Sequence, residues 1–128
     1  MSLSFAKIDC GTKGFFLIQQ TQPLYIKYST SRKGPWVFNF NQEHSSSFLQ
    51  TVDRFGSCAV ALVCGSDGIA GMTNQDLQTV VPLNSGQQEA VSVRRKLREM
   101  YTVSGPSGNL AFKLGRDSLS EVLAPSLR

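Results

Sequence analysis

Cys58-Ala59-Val60-Ala61-Leu62-Val63-Cys64 is the stretch that decides the fold of this 128-residue chain. Its apolar side chains follow one another without alternation, which is typical of a central strand covered on both faces. A free cysteine at either end of such a run behaves as a small hydrophobe, so both thiols fit the interior. We therefore expect residues 58–64 to form an interior strand, with the other elements packed around it.

Three runs upstream of this strand are rich in aromatic and β-branched residues or alternate between apolar and polar side chains. They cover residues 15–20, 24–29 and 36–40, and the turns between them predict a three-stranded antiparallel meander. Along the second run one face carries Leu24, Ile26 and Tyr28, and the more polar face carries Tyr25, Lys27 and Ser29.

Helix signals flank the central run. Asn41 and Gly56 predict the two ends of a helix over residues 42–55, and Thr73 begins a shorter helix that Pro82 ends. A return strand at 68–72, later strands at 90–97 and 100–104, a hairpin partner at 109–114 and a last helix at 118–123 complete the pattern. The sequence predicts a single α+β domain over residues 1–128. An antiparallel meander plus the central buried strand would form a mixed sheet, with two or three helices packed on it.

The charge distribution is polarised along the chain. Net charge is +4 overall, but residues 1–40 and 91–128 each carry a net +4, whereas residues 41–90 carry a net −4. If the two basic ends meet on one face of the fold, that face attracts polyanions. An ordinary solvated surface of mixed charge remains the alternative interpretation.

Two segments hold the candidate binding residues. Residues 25–36 combine cations, aromatic rings and hydroxyl groups, a mixture that suits phosphates and bases. In the later strand, the alternation predicts that Val91, Val93, Arg95 and Leu97 are buried while every second residue faces outward. The resulting candidates for nucleic-acid binding are Lys27, Arg32, Lys33, Arg94, Lys96 and Arg98.

The order meander, helix, buried strand resembles the core of the PD-(D/E)xK nuclease fold, which restriction endonucleases share with archaeal Holliday-junction resolvases. The resemblance covers roughly residues 5–72 and implies that the family's D/E-x-K tripeptide corresponds to Tyr25-Ile26-Lys27, with Asp9 as the upstream acid. The chain departs from the family in two ways: Tyr25 stands where the family has a carboxylate, and the usual catalytic helix before the first strand is missing. Glu43 is the nearby carboxylate that could replace the lost ligand. Because magnesium binds through carboxylate oxygens, the resemblance implies binding without cleavage.

No catalytic or metal-binding set emerges from the sequence itself. The cysteines are three and lack C-x-x-C spacing, His44 is the only histidine, and Gly65-Ser66-Asp67-Gly68 lacks the ending of a phosphate-binding loop. We expect no cofactor, no membrane partner and a cytoplasmic location. The predicted partner is DNA or RNA. The alternative is a small protein-interaction module whose basic patch meets an acidic protein or a second copy of the chain.

Overall fold

The chain folds into strands and helices that pack as two β-sheets with helices against them. The structure is a computed structural model and describes residues 4–124. In chain order the strands are β1 (Phe5–Lys7), β2 (Phe15–Ile18), β3 (Gln22–Ser29), β4 (Trp36–Phe40), β5 (Ala59–Cys64), β6 (Gly68–Met72), β7 (Glu89–Arg94), β8 (Thr102–Gly105) and β9 (Gly108–Asn109). The helices are α1 (Gln42–Phe55), α2 (Asn74–Val80) and α3 (Ser118–Leu123).

In the described part of the chain, sheet A has the spatial order β1-β2-β3-β5-β6 and sheet B the order β4-β7-β8-β9. Strands β3 and β5 run parallel, with Leu24 opposite Ala59 and Ser29 opposite Cys64. The remaining strand pairs are antiparallel. Sheet A is therefore mixed, sheet B is antiparallel, and the predicted α+β class is confirmed.

The apolar run at residues 58–64 forms β5, an interior strand between β3 and β6. Val60, Leu62 and Cys64 face the main core, which sheets A and B share with α1 and α2. Ala59 and Ala61 face a second apolar cluster beneath α3. Both faces of β5 are covered, as the absence of alternation predicts.

The predicted antiparallel meander is found only in part: the first two runs form the antiparallel pair β2 and β3, but the third strand was predicted wrongly. The meander consists of β1, β2 and β3, whereas the run at 36–40 forms β4 and pairs with β7 in sheet B. The reason is that other elements cover both faces of β3 but only one face of β4. Strand β3 is covered on both faces, since neighbouring Leu24 and Tyr25 are both buried. Strand β4 buries every second residue and leaves Val37 half exposed, so it suits the edge of a sheet with one solvated face.

The helix boundaries follow the predicted capping residues. Asn41 Oδ1 accepts a hydrogen bond from the His44 backbone N–H at 2.7 Å, and Thr73 caps α2 in the same way through Asp76. Gly56 ends α1 with a φ of 86°, a left-handed conformation that glycine adopts without strain. Helix α3 spans the predicted residues, and Ser118 Oγ accepts from the Gly71 backbone N–H of β6. None of the helices in residues 4–124 is long and apolar enough to cross a membrane.

The chain after β7 departs from the predicted pattern. The strand expected at 90–97 ends at Arg94, and the Glu99 backbone N–H donates to the Lys96 carbonyl in a turn that follows. Leu97, which the alternation placed in the core, is 83% exposed. The predicted strand at 100–104 is found as β8, but the hairpin partner shortens to the two residues of β9 plus a bridge between Tyr101 and Leu114.

Candidate functional site

A cleft of about 830 Å³ opens where three loops of the fold converge. These are the loop between β3 and β4, the turn between β5 and β6, and the segment that follows β7. Among the described residues, its charged lining consists of six cations, Arg32, Lys33, Arg94, Arg95, Lys96 and Lys113, and two carboxylates, Asp67 and Glu99. The cleft therefore carries a strong net positive charge. Its lining residues come from distant parts of the sequence and adjoin strands of both sheets.

Asp67 anchors this cleft. Arg95 donates to both of its carboxylate oxygens, from Nε at 3.0 Å and from Nη2 at 2.6 Å, and Tyr101 donates its hydroxyl to Oδ2 at 2.8 Å. Arg116 donates to the backbone carbonyl of Asp67, from Nε at 2.7 Å. The two-pronged contact with Arg95 fixes the guanidinium plane and ties the segment after β7 to the turn after β5.

The surroundings of Asp67 keep its carboxylate ionised. The hydrogen bonds from Arg95 are the main reason that the pKa of Asp67 falls to about 2; Tyr101 and the charges of Arg95 and Arg116 add to this, and burial opposes it. Burial, together with the bond to Asp67, raises the pKa of the Tyr101 phenol, which remains a donor. The Asp67 carboxylate thus compensates the charge of Arg95 in the cleft.

The outer cations of the cleft have no such compensation. Arg32, Lys33, Arg94 and Lys96 are exposed, and none of them forms an ion pair within residues 4–124. Lys113 lies 3.6 Å from Glu99, in a contact whose partners are both about half exposed. Such a surface pair contributes little energy, so Lys113 is free to exchange Glu99 for another anion.

The loop that carries Arg32 and Lys33 is held in place by its own hydrogen bonds. The buried indole of Trp36 donates from Nε1 to the Ser31 carbonyl at 2.9 Å, and Ser31 Oγ donates to the Lys33 carbonyl at 2.8 Å. Gly65 lies against the Ser31 backbone with a φ of 55°, a position where a Cβ atom would collide. The loop is therefore packed onto the end of β5 beside Asp67.

The structure brings together four of the six predicted binding residues: Arg32, Lys33, Arg94 and Lys96 all line the cleft. Arg98 is exposed with a φ of 67° but does not line it. The prediction that Arg94, Lys96 and Arg98 share one strand face is wrong, because only Arg94 belongs to β7. The chain turns after Arg94, where Arg95 reaches toward Asp67 instead of entering the core.

Lys27 lies apart from the cleft, facing α1. Its Nζ donates to His44 Nδ1 at 3.1 Å and to the Tyr25 hydroxyl at 3.3 Å, and it sits 4.8 Å from the centre of the Phe40 ring. The face of β3 predicted to be polar is therefore packed against the main core. Tyr28, predicted to share the face of Leu24 and Ile26, is 70% exposed near the end of the strand.

The positions that the nuclease resemblance singles out differ in their burial. Tyr25 is 2% exposed and stacks on Phe15 with ring centres 4.0 Å apart. Asp9 and Glu43 are both exposed. Within residues 4–124, no three His, Cys, Asp or Glu side chains are grouped so that they could hold a metal ion.

Sequence reasoning missed Asp67, Tyr101, Arg95 and Lys113 as members of the site. The alternation predicts Arg95 on the buried face, and Gly65-Ser66-Asp67-Gly68 lacks the ending of a phosphate-binding loop, so neither residue was a candidate. Asp67 and Arg95 are 28 residues apart, so nothing local in the sequence indicates their contact. The one available signal was that Arg95 adjoins two predicted candidates, Arg94 and Lys96.

The fold and the cleft together define an α+β protein with a basic cleft, and the outer cations of that cleft form no ion pair with any residue that the structure describes. Comparison with family models, with curated proteins and with solved structures finds no significant match. The functional argument therefore depends on the site itself.

Proposed function

We propose that this protein binds nucleic acid through the basic cleft and does not cleave it. The observation that carries the proposal is the convergence on one cleft of Arg32, Lys33, Arg94 and Lys96, none of which has an ion-pair partner among residues 4–124. Like charges repel one another, so an arrangement of this kind favours an anionic partner that spans several cations. The phosphates of DNA or RNA have this property, since each nucleotide adds one negative charge.

The chemistry of the cleft suits phosphate contacts more than base recognition. Guanidinium and ammonium groups bind phosphate oxygens, and contacts of this type position a nucleic acid without reading its sequence. The aromatic side chain that lines the cleft, Trp36, is buried and its indole N–H is already bonded to Ser31. The proposed binding is therefore largely independent of sequence.

The proposed absence of cleavage follows from the location of Tyr25. The resemblance to PD-(D/E)xK nucleases, which remains a proposal, aligns Tyr25 with a metal-binding carboxylate. A phenol that stacks on Phe15 inside the core is a poor ligand for magnesium, because burial raises its pKa and keeps it protonated. The protein would then use a nuclease-like scaffold for binding alone.

A fluorescence anisotropy titration across a salt series tests the proposal. Labelled duplex DNA, single-stranded DNA and RNA are titrated with protein at 50–200 mM salt. Four phosphate contacts predict a slope of about −3.6 for log affinity against log salt on duplex DNA, or a roughly 100-fold loss of affinity over this range. Absence of binding to every probe at 50 mM salt would overturn the proposal.

A matched pair of charge-reversal variants locates the binding surface. Arg94→Glu with Lys96→Glu alters the cleft, whereas Lys7→Glu with Lys13→Glu makes the same change in net charge at exposed residues beside a different cavity. We expect the cleft variant to lose at least tenfold more affinity than the control, on all sequences alike. Equal losses would mean that net charge, and not the cleft, attracts the nucleic acid.

Protein interaction is the second candidate function, and exposed apolar side chains favour it. Leu97 lines the cleft and Met100 is half exposed on the same segment. Apolar groups rimmed by charge are typical of a surface that binds a protein, either an acidic partner or a second copy of the chain. Sedimentation of the wild type and of Leu97→Ser tests whether the partner is a second copy of the chain, because a dimer formed through this surface would dissociate in the variant.

A further inference from the structure

The basic cleft lies between two chain segments that leave the same pair of strands. Trp36 of β4 is opposite Val93 of β7 at the end of this antiparallel pair. The chain before Trp36 and the chain after Val93 both line the cleft, as residues 32–35 (the first segment) and residues 94–97 (the second segment). The cleft is therefore a gap between two neighbouring segments, with cations on both of its sides.

Each segment is held in place by contacts of its own. In the first segment, Gly34 lies against the buried ring of Trp36, where an added Cβ would come within 3.1 Å of a ring carbon. In the second segment, Arg95 donates from Nη1 to the carbonyls of Lys96 and Glu99, both at 3.4 Å. The gap is therefore fixed by the fold, and a ligand does not have to open it.

The size of the gap distinguishes single-stranded from double-stranded nucleic acid. Its volume of about 830 Å³ equals that of a cube about 9 Å on a side, whereas the major groove of duplex DNA is already about 12 Å wide. A double helix is therefore too wide to enter the gap and would contact only its rim. A single strand presents one row of phosphates, so it can lie between the segments and contact cations of both. These are Arg32 and Lys33 on one side and Arg94 and Lys96 on the other.

The gap also offers apolar contacts to a base. Leu97 in the second segment is 83% exposed, Pro35 in the first segment is exposed as well, and both line the cleft. In a duplex the flat faces of the bases are stacked on one another, whereas in a single strand they are free to pack on protein side chains. Packing of this kind does not depend on base identity, because every base has such a face.

Charge alone predicts the opposite preference. Duplex DNA carries more charge per unit length than a single strand, and each phosphate contact with a duplex releases more counterions. A purely electrostatic patch would therefore bind the duplex at least as tightly as the single strand. A preference for the single strand requires the size of the gap and the apolar contacts within it.

We propose that the basic cleft is a site for single-stranded nucleic acid. The strand lies between the two segments, its phosphates contact the cations on both sides, and one unpaired base packs on Leu97 and Pro35. This inference rests on the proposed binding of nucleic acid by the cleft and specifies the form that is bound. Because DNA and RNA share phosphates and base faces, the site takes single strands of either.

Competition between the two forms for the wild-type protein tests the proposal. A labelled single-stranded DNA is bound at low salt. It is then displaced either by the same strand without label or by the blunt duplex of that strand with its complement, at equal nucleotide concentration. We expect the single strand to compete about fivefold more strongly. A duplex that competes equally well or better would overturn this inference and leave the proposed function intact, whereas absence of binding by both forms would overturn both.

A matched pair of variants tests the apolar contact. Leu97→Ser alters the cleft, whereas Val37→Ser removes an apolar side chain that is half exposed on β4 and does not line the cleft. We expect Leu97→Ser to weaken single-strand binding about threefold and to leave duplex binding unchanged, and Val37→Ser to change neither. Unchanged single-strand affinity in Leu97→Ser, or an equal loss for both forms, would overturn the proposal. Unchanged affinity together with altered sedimentation of Leu97→Ser would favour the protein-interaction function instead.

Discussion

Replacement of Asp67 by Asn tests the anchor of the basic cleft. The substitution keeps the size and shape of the side chain but removes the charge that Arg95 and Tyr101 bind. The amide also places N–H donors where a carboxylate accepted bonds, so part of the two-pronged contact with Arg95 is lost. We expect the variant to fold and to be less stable.

The pKa of Asp67 sets the magnitude of this effect. A fall from 3.8 to about 2 corresponds to an upper limit of about 2 kcal/mol of stability at neutral pH. The Asp67 side chain is 19% exposed and lies in an open cleft, where solvent screens part of the interaction. After this reduction we expect a loss of about 1–2 kcal/mol, at the lower end of the range for hydrogen bonds to charged groups.

Urea unfolding as a function of pH is the assay. Because folding lowers the pKa of Asp67, its contribution is present above pH 4 and is lost as the pH falls toward 2. The difference in unfolding free energy between wild type and Asp67→Asn should therefore be largest at pH 7 and shrink between pH 4 and pH 2. Asp53→Asn, at an exposed residue of α1, is the control and should change stability by less than about 0.5 kcal/mol. Equal stability of wild type and Asp67→Asn at pH 7 would refute the reasoning.

Three further predictions concern the core, a close backbone contact and the absence of cleavage. Leu62→Ala in β5 should cost about 2–5 kcal/mol in chemical unfolding, and a loss near zero would place this side chain outside the core. Gly71→Ala should destabilise the protein by about 1–3 kcal/mol, because a Cβ atom there would collide with the backbone of Leu119; an unchanged melting temperature would contradict this contact. Supercoiled, linear and branched DNA should remain intact on gels after incubation with protein and magnesium or manganese. Metal-dependent cleavage that disappears in Asp9→Asn would contradict the last prediction and indicate Glu43 as the replacement ligand.

The helices could be predicted from the sequence because their signals are local. A cap such as Asn41 bonds to a residue three positions away, and Gly56 ends α1 through its own backbone conformation. Strand β5 could be predicted equally well, because an unbroken apolar run is typical of an interior strand that is covered on both faces. Each of these features depends on a few residues that are close in sequence, so it can be predicted without knowledge of the fold.

The partner of β4 could not be predicted in the same way. The run at 36–40 shows the alternation of a half-buried strand, which any sheet with one solvated face would satisfy. Its actual partner, β7, begins 49 residues after the last residue of β4, and nothing in either strand specifies the other. The parallel pairing of β3 with β5 displaced β4 from the position that proximity in sequence had suggested.

Only the exposed cations of the site could be predicted from the sequence. Arg32, Lys33, Arg94 and Lys96 were identified by their charge, and the fold brings them to one cleft. Lys27 was misplaced because alternation along β3 does not reveal that both faces of the strand are covered. Its neighbour His44 is 17 residues away and belongs to another element.

The Asp67 carboxylate explains how so many like charges can share one cleft. Six cations close together repel one another, and this repulsion opposes folding. Asp67 offsets part of it by binding Arg95 in the inner wall, and the same contact joins the segment after β7 to the turn after β5. The outer cations then retain their charge on a backbone that is already held in place. A polyanion that binds them relieves the remaining repulsion, so bound nucleic acid should raise the melting temperature of wild type more than that of Arg94→Glu with Lys96→Glu. Equal shifts in the two proteins would place the bound polyanion elsewhere on the surface.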